Sequence, residues 1–352
     1  MRAARYYGKE DIRIEEIDEP VCKEGEVKIR PGYVGICGTD LHEYLGGPNF
    51  APLTPHPVTG EQIPVTFGHE FSGTVIEVGA GVTGIAVGQR AAIQPIIYDR
   101  TCAACHRGLH NICYNGGFVG LSGWGGGLSD AVTVPADYVL PLPDHVPLDI
   151  GALVEPLSVG WHAVAQSPLT PSSHVLILGG GPIGIAVILA LRARGCSSII
   201  VSEPSASRQA SARRFGADHI LDPRTEPDFL STVRALTGGE GVDIVFDCAG
   251  VAVGLEAACQ AIKVRGTVVN VAIWERAVPF NPNWLVFREG KYVACLAYVR
   301  QDFEDVIQAI ASGAMQPGEM ITGKIRLEDV VEEGFKALIT EKEKHVKILV
   351  QI

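Results

Sequence analysis

The sequence predicts an α/β chain: a β-rich body first, then a doubly wound parallel sheet. Three observations lead there. The 352 residues suggest about two domains, since domains usually run to ~100–200 residues. The hydrophobic pattern changes near Ser158, from short Val/Ile segments between Gly and Pro turns to strands alternating with helices. A run of glycines at 179–181 then falls between an apolar segment and a helical one.

In the first body, residues 27–30, 33–36, 74–78, 90–94 and 131–134 read as strands, with no helix of more than a few turns. In the second, residues 174–178, 198–202, 243–246 and 266–271 are continuous apolar runs, as in strands buried on both faces. Helical stretches lie between and beside them at 183–194, 205–215, 229–236 and 253–263. Such alternation means a parallel sheet with crossover helices. Residues 300–352 hold more helix and end strand-like at 345–352. No Ser/Gly-rich linker occurs, so the boundary falls on a continuous helix near 156–165.

Composition narrows the function. The chain is 47% hydrophobic and 20% charged, which excludes disorder and coiled coil. Its net charge of −11 argues against nucleic acid and against an anionic membrane surface as partners. Residues 175–191 are uncharged and mostly apolar, but too short to span a bilayer. Residues 1–11 are charged and carry no apolar signal core. The expectation is a cytoplasmic protein whose nine cysteines are reduced thiols, and clustered thiols there suggest metal.

Gly179-Gly180-Gly181-Pro182-Ile183-Gly184 fits G-x-G-x-x-G between a strand and a helix, the nucleotide-binding turn of a Rossmann domain. Gly179 permits the tight turn, Gly181 lets backbone approach a pyrophosphate, and Gly184 allows helix and strand to pack closely. The helix start at Pro182 and Ile183 offers free N–H groups to the phosphates. The next strand ends in Glu203, whose carboxylate suits a ribose 2′-hydroxyl and repels a 2′-phosphate, predicting NAD over NADP. Arg208, a turn later, lines the adenosine side or is a solvated helix residue.

Zinc takes thiolate, imidazole and carboxylate, and a catalytic site keeps one position open. Cys37 and His69 are candidates for the first two, each beside a glycine and a second polar residue. Two carboxylates compete for the third place: Glu70, and Glu155 in an apolar run where a carboxylate is costly to bury without a partner. One thiolate and one carboxylate leave zinc neutral and a second carboxylate makes the site anionic, so Glu70 and Glu155 are expected to share the role. A second cluster, Cys102, Cys105 and Cys113 with Asp99 three residues ahead, has structural-zinc spacing, with His106 and His110 as substitutes for Asp99.

Together these residues resemble the zinc-dependent medium-chain alcohol dehydrogenases. Gly68-His69-Glu70, Gly73, Gly79 and Val82 look like that family's signature, and the cysteine lobe and glycine fingerprint follow in its order. Residues 37–44, 56–60, 68–73, 118–123 and 203–205 are similar to the butanediol dehydrogenases of the family. Residues 155–160 are shared with its sorbitol and xylitol (polyol) branch, and a threonine-type dehydrogenase is a further alternative. The resemblance implies a GroES-like catalytic domain at 1–157 completed by 297–352, and a Rossmann NAD-binding domain at 158–296. It implies catalytic zinc on Cys37, His69 and Glu70 or Glu155, and a proton relay through Thr39 and His42. It implies reversible oxidation of a small secondary alcohol or vicinal diol, 2,3-butanediol to acetoin, in a homodimer or homotetramer. The family's structural lobe has four cysteines; Asp99 stands for the first here, a harder ligand than thiolate. A zinc- and nucleotide-binding relative without turnover is the reading from another class, and Thr39, His42 and both glutamates weigh against it.

Overall fold

The computed structural model describes residues 1–274 and 276–352. They form two compact units, one of residues 1–155, 299–312 and 317–352, the other of residues 156–298 and 313–316.

The first unit is built on antiparallel pairing. Its opening strands are β1 (Arg2–Gly8), β2 (Asp11–Glu16) and β3 (Glu26–Gly35), followed by helix α1 (Gly38–Gly46). Next come β4 (Val65–Thr66), β5 (Glu70–Val78), β6 (Arg90–Ile93), β7 (Ile96–Ile97), β8 (Gly117–Phe118), β9 (Val132–Pro135) and β10 (Val139–Pro141). Helix α2 (Leu148–Gly151) precedes α3 (Val154–Ala165), the helix expected at the boundary. The β1–β2 hairpin was not legible, because its few apolar side chains are spaced among arginines and glutamates. Ala4 and Tyr6 are nevertheless fully buried.

The second unit is the expected parallel sheet. Strands β11 (His174–Leu178), β12 (Ser198–Ser202), β13 (His219–Leu221), β14 (Val242–Asp247), β15 (Ile262–Asn270) and β16 (Lys291–Ala294) take the order β13-β12-β11-β14-β15-β16. Its crossover helices are α4 (Pro182–Ala193), α5 (Ala206–Arg214), α6 (Phe229–Leu236) and α7 (Ala252–Ala261). The run at 175–191 is thus β11 and the buried α4, and among the described residues no helix is long and apolar enough to cross a membrane. The start of β15 differs from expectation: residues 262 and 263, expected in the helix, open the strand instead. Ile262 and Val264 are β-branched, and Ile262 pairs with Val242 before a register shift restores the ladder at Thr267. Strand order reverses between β11 and β14, so their carboxyl ends frame the crevice where such sheets take nucleotides.

The chain then returns to the first unit through α9 (Arg300–Ala311, after the short α8, Asn283–Val286), β17 (Ile321–Arg326) and, beyond α10 (Ala337–Thr340), β18 (Lys347–Gln351). Strand β18 pairs with β3, completing the sheet order β10-β6-β5-β3-β18-β17. Gly35 on β3 therefore stands between Glu70 of β5 and Leu349 of β18.

Candidate metal centres and nucleotide site

Cys37 ends the turn out of β3, and its N–H donates to Asp40 Oδ2 at 2.9 Å, which starts α1. His69 and Glu70 sit at the beginning of β5. These elements bring single ligand atoms of Cys37, His69 and Glu70 within 4.8 Å of one another, with His69 and Glu70 buried.

The surroundings suit a cation. Asp40 is fully buried, with Oδ1 3.3 Å from His69 Nδ1, and among the described residues neither atom has another hydrogen-bond partner. A carboxylate behind a histidine fixes its ring and leaves the other nitrogen for a metal. Burial alone would depress the His69 pKa, but Asp40 and Cys37 outweigh it and hold it well above the ordinary imidazole value. Burial pushes the Cys37 thiol up, with the Glu70 charge adding to it. Metal binding reverses that preference, because a coordinated thiol is deprotonated.

Glu155, near the start of α3, is also buried, but its oxygens are not in the set gathered within 4.8 Å. Its charge is nonetheless felt by Lys347, a residue that sequence reasoning missed. Lys347 is buried, with Nζ 2.7 and 2.8 Å from the two Glu70 oxygens and 3.2 Å from the Ile36 carbonyl. Burial would lower its pKa, but Glu70 and Cys37 outweigh that and raise it. The signal was a lone lysine at the head of an apolar strand, beside Ile348, Leu349 and Val350, all buried.

Thr39 and His42 lie three residues apart on α1 and so on one face, Thr39 half-buried and His42 exposed. Tyr44 packs on Phe335 in the core and Trp124 meets Tyr138 edge-on. Phe50 remains partly exposed and meets Phe118, whose ring lies 6.1 Å from that of His69.

In the second cluster Asp99, Cys102, Cys105 and Cys113 place ligand atoms within 4.8 Å of one another. Asp99 Oδ1 accepts the N–H groups of Thr101 and Cys102 at 2.8 and 2.9 Å, and Oδ2 accepts Asn115 Nδ2 at 2.8 Å. Those bonds, that of Cys102 first, hold its carboxyl far below the usual range. Burial pushes Cys105 up to about 12, while N–H donation from Tyr114 lowers Cys102. His106 is exposed and His110 stacks on Tyr98 at 3.8 Å, so Asp99 and not either histidine joins the thiols. Two thiols 3.8 Å apart beside an ionised carboxylate, Cys102 and Cys113 being that pair, form a donor set that zinc satisfies.

In the other unit, Gly179 has φ +96°, and a Cβ at Gly184 would collide with the Gly179 carbonyl, so both glycines are required. A Cβ at Gly181 would meet only Arg208 Nη1, 3.9 Å away, which leaves the open backbone a pyrophosphate needs. Pro182 and Ile183 open α4 behind it. Glu203 is buried, its carboxylate accepting the N–H groups of Gly180 at 2.7 Å and Ser205 at 2.8 Å. Glu203 and Arg208 thus converge on the glycine turn.

Comparison with known proteins gives the same picture. Residues 23–144 match the alcohol dehydrogenase GroES-like domain, and residues 182–312 the zinc-binding dehydrogenase domain. The chain is 44% identical to (R,R)-butanediol dehydrogenase of Bacillus subtilis, over 100% of this chain and 99% of the relative. It is 30% identical to sorbitol dehydrogenase of the same organism, over 99% of this chain and 97% of the relative. The crystal structure of 2R,3R-butanediol dehydrogenase from Bacillus subtilis superposes with a TM-score of 0.94 at 43% identity, covering 100% of this chain and 99% of that one. The chain belongs to the zinc-dependent medium-chain alcohol dehydrogenase family, with a GroES-like unit and a Rossmann-type unit.

Proposed function

We propose that this enzyme interconverts 2,3-butanediol and acetoin with NAD. The observation that carries the reading is the convergence of Cys37, two residues from Thr39, with the buried His69 and Glu70, in a chain related over its full length to butanediol dehydrogenases. The lower identity to sorbitol dehydrogenase favours the small diol over a polyol.

Cys37, His69 and a carboxylate would hold zinc. When bound, zinc supplies Lewis acidity toward an alcohol oxygen and NAD supplies the hydride acceptor. The residues do the rest. Counting Lys347 changes the charge arithmetic: its ammonium offsets Glu70, so both carboxylates can stand at the site without leaving it anionic. Glu70 is then the carboxylate held in reserve by Lys347, and Glu155 the one that would complete the metal's ligands. The Thr39 hydroxyl both donates and accepts, so it can take a proton from the substrate and pass it outward. His42, exposed on the same helix face, delivers it to solvent.

Glu203, with its carboxylate fixed at the glycine turn, would accept the ribose hydroxyls and so favours NAD over NADP, with Arg208 on the adenosine side. Asp99, Cys102, Cys105 and Cys113 hold a structural zinc. The catalytic domain is residues 1–157 with 297–352, around a Rossmann domain at 158–296. The edge position of β16, with Tyr292 on the strand and Phe287 ahead of it both exposed, supports a homodimer or homotetramer.

The test is absorbance of NADH with a panel of diols and polyols. The reading expects a kcat/KM for 2,3-butanediol at least tenfold above those for sorbitol, xylitol and threonine; a polyol on top overturns it.

A further inference from the structure

Helix α1 carries two fully buried carboxylates, Asp40 and Glu43. Asp40 faces His69. Glu43 is of a different kind. Among the described residues no cation pairs with it. Its oxygens are met by backbone instead: the N–H of Asn49 lies 2.9 Å from each, and the N–H of Phe50 donates to Oε1. A carboxylate out of water is costly unless it is hydrogen-bonded, and hydrogen bonds to a charged acceptor are stronger than neutral ones. Glu43 therefore clamps the chain that leaves α1 back onto the helix bearing Thr39 and His42.

Two further contacts make the corner rigid. The Tyr6 hydroxyl donates to the Glu43 carbonyl at 2.7 Å, with the Tyr6 ring stacked on Phe67 at 4.5 Å. The Ser122 hydroxyl donates to the Phe50 carbonyl at 3.2 Å. The side chain placed by this corner is Phe50. The residue is 37% exposed, and its ring stands edge-on to Phe118 at 6.0 Å, with the Phe118 ring 6.1 Å from that of His69. His69, Phe118 and Phe50 thus form a row of rings leading away from the metal ligands.

We propose that Glu43 is a positioning residue for substrate, fixing the Asn49–Phe50 backbone so that Phe50 and Phe118 wall the space beside His69 and limit the size of the alcohol accepted. The proposal rests on the site described under Proposed function and adds a residue that touches neither substrate nor metal. A single well-packed wall of this kind discriminates by about 10–200-fold between substrates differing by small apolar groups.

The experiment compares wild type, Glu43→Gln and Phe50→Ala as zinc-loaded enzymes. It measures kcat and KM for 2,3-butanediol and for 1-phenyl-1,2-propanediol, with zinc content and thermal melting alongside. Glu43→Gln keeps one acceptor oxygen and the same shape. The expected result is a rise in KM for butanediol of about tenfold, larger than any fall in kcat, and a preference over the phenyl diol narrowed about tenfold. Phe50→Ala, with the clamp intact, narrows the preference as much. A folded, zinc-replete Glu43→Gln enzyme with lowered melting temperature but unchanged KM and preference overturns the proposal, since that is a structural role alone. So does an unchanged preference in Phe50→Ala, which decides the matter if Glu43→Gln does not fold. If wild type oxidises other secondary alcohols but not butanediol, the substrate reading fails by itself, and the same ratios are read with 2-butanol against 1-phenylethanol.

Discussion

Lys347 and Glu70, on strands β18 and β5, form a buried ion pair that meets over Gly35 on the intervening strand β3. A Cβ at Gly35 would occupy the place of the Glu70 carboxylate, so glycine there is what lets the side chain cross the strand. The pair lies 3% and 1% exposed, so neither charge is screened by water.

Removing one partner strands the other. Lys347→Met leaves Glu70 buried without its cation, and loss of one member of a buried pair costs about 3–5 kcal/mol. Urea unfolding of the zinc-loaded enzyme should show that loss, and zinc retention against a chelator should change with it. Lys347→Arg should recover most of both. A Lys347→Met enzyme as stable as wild type would mean that the pair has no role in holding Glu70.

The Glu203 carboxylate is fixed by the N–H groups of Gly180 and Ser205, and so presents its charge at the glycine turn. Glu203→Ala should raise KM for NAD by about tenfold, the equivalent of one charge-assisted hydrogen bond. KM for NADP should fall, because the repulsion of a 2′-phosphate is gone, while Arg208 stays near Gly181 to receive it. Steady-state kinetics with both cofactors check this; an unchanged ratio contradicts it.

Asp99 enters its lobe already ionised and held by three hydrogen bonds. Asp99→Ala should release one zinc per chain and lower the melting temperature by several degrees, about 2–4 °C for each 1 kcal/mol at this domain size. Turnover of the enzyme that remains folded should persist. Asp99→Cys, with a softer ligand, should hold the zinc against a chelator longer than wild type. Collapse of turnover without loss of that zinc would contradict a structural role.

Much of this was legible in the chain. Strands β11 and β12 and helix α6 run as the apolar pattern placed them, because a strand buried on both faces leaves an unbroken apolar run. The glycine turn, Glu203, and the Asp99 and cysteine set were also legible, since each is fixed by spacing along a short segment. The other features depend on pairing between distant segments. Lys347 is far from Glu70 in sequence, and only the order β5-β3-β18 makes them neighbours. Nothing local in the sequence marks Asp40 and Glu43 for burial, which follows from what packs on α1. The start of β15 was hidden for another reason: Gly241 and the residues around Ile262 form an irregular ladder that no local period reports.

If Cys37 and His69 hold a metal on which turnover depends, loss of either ligand removes both metal and turnover. The direct measurement is zinc content per chain, by atomic emission, together with NAD-linked turnover, in Cys37→Ala and wild type. The account predicts about one zinc fewer per chain and turnover lost, with the Asp99 lobe still loaded and the fold intact by circular dichroism. Full zinc content and full activity in Cys37→Ala would contradict it.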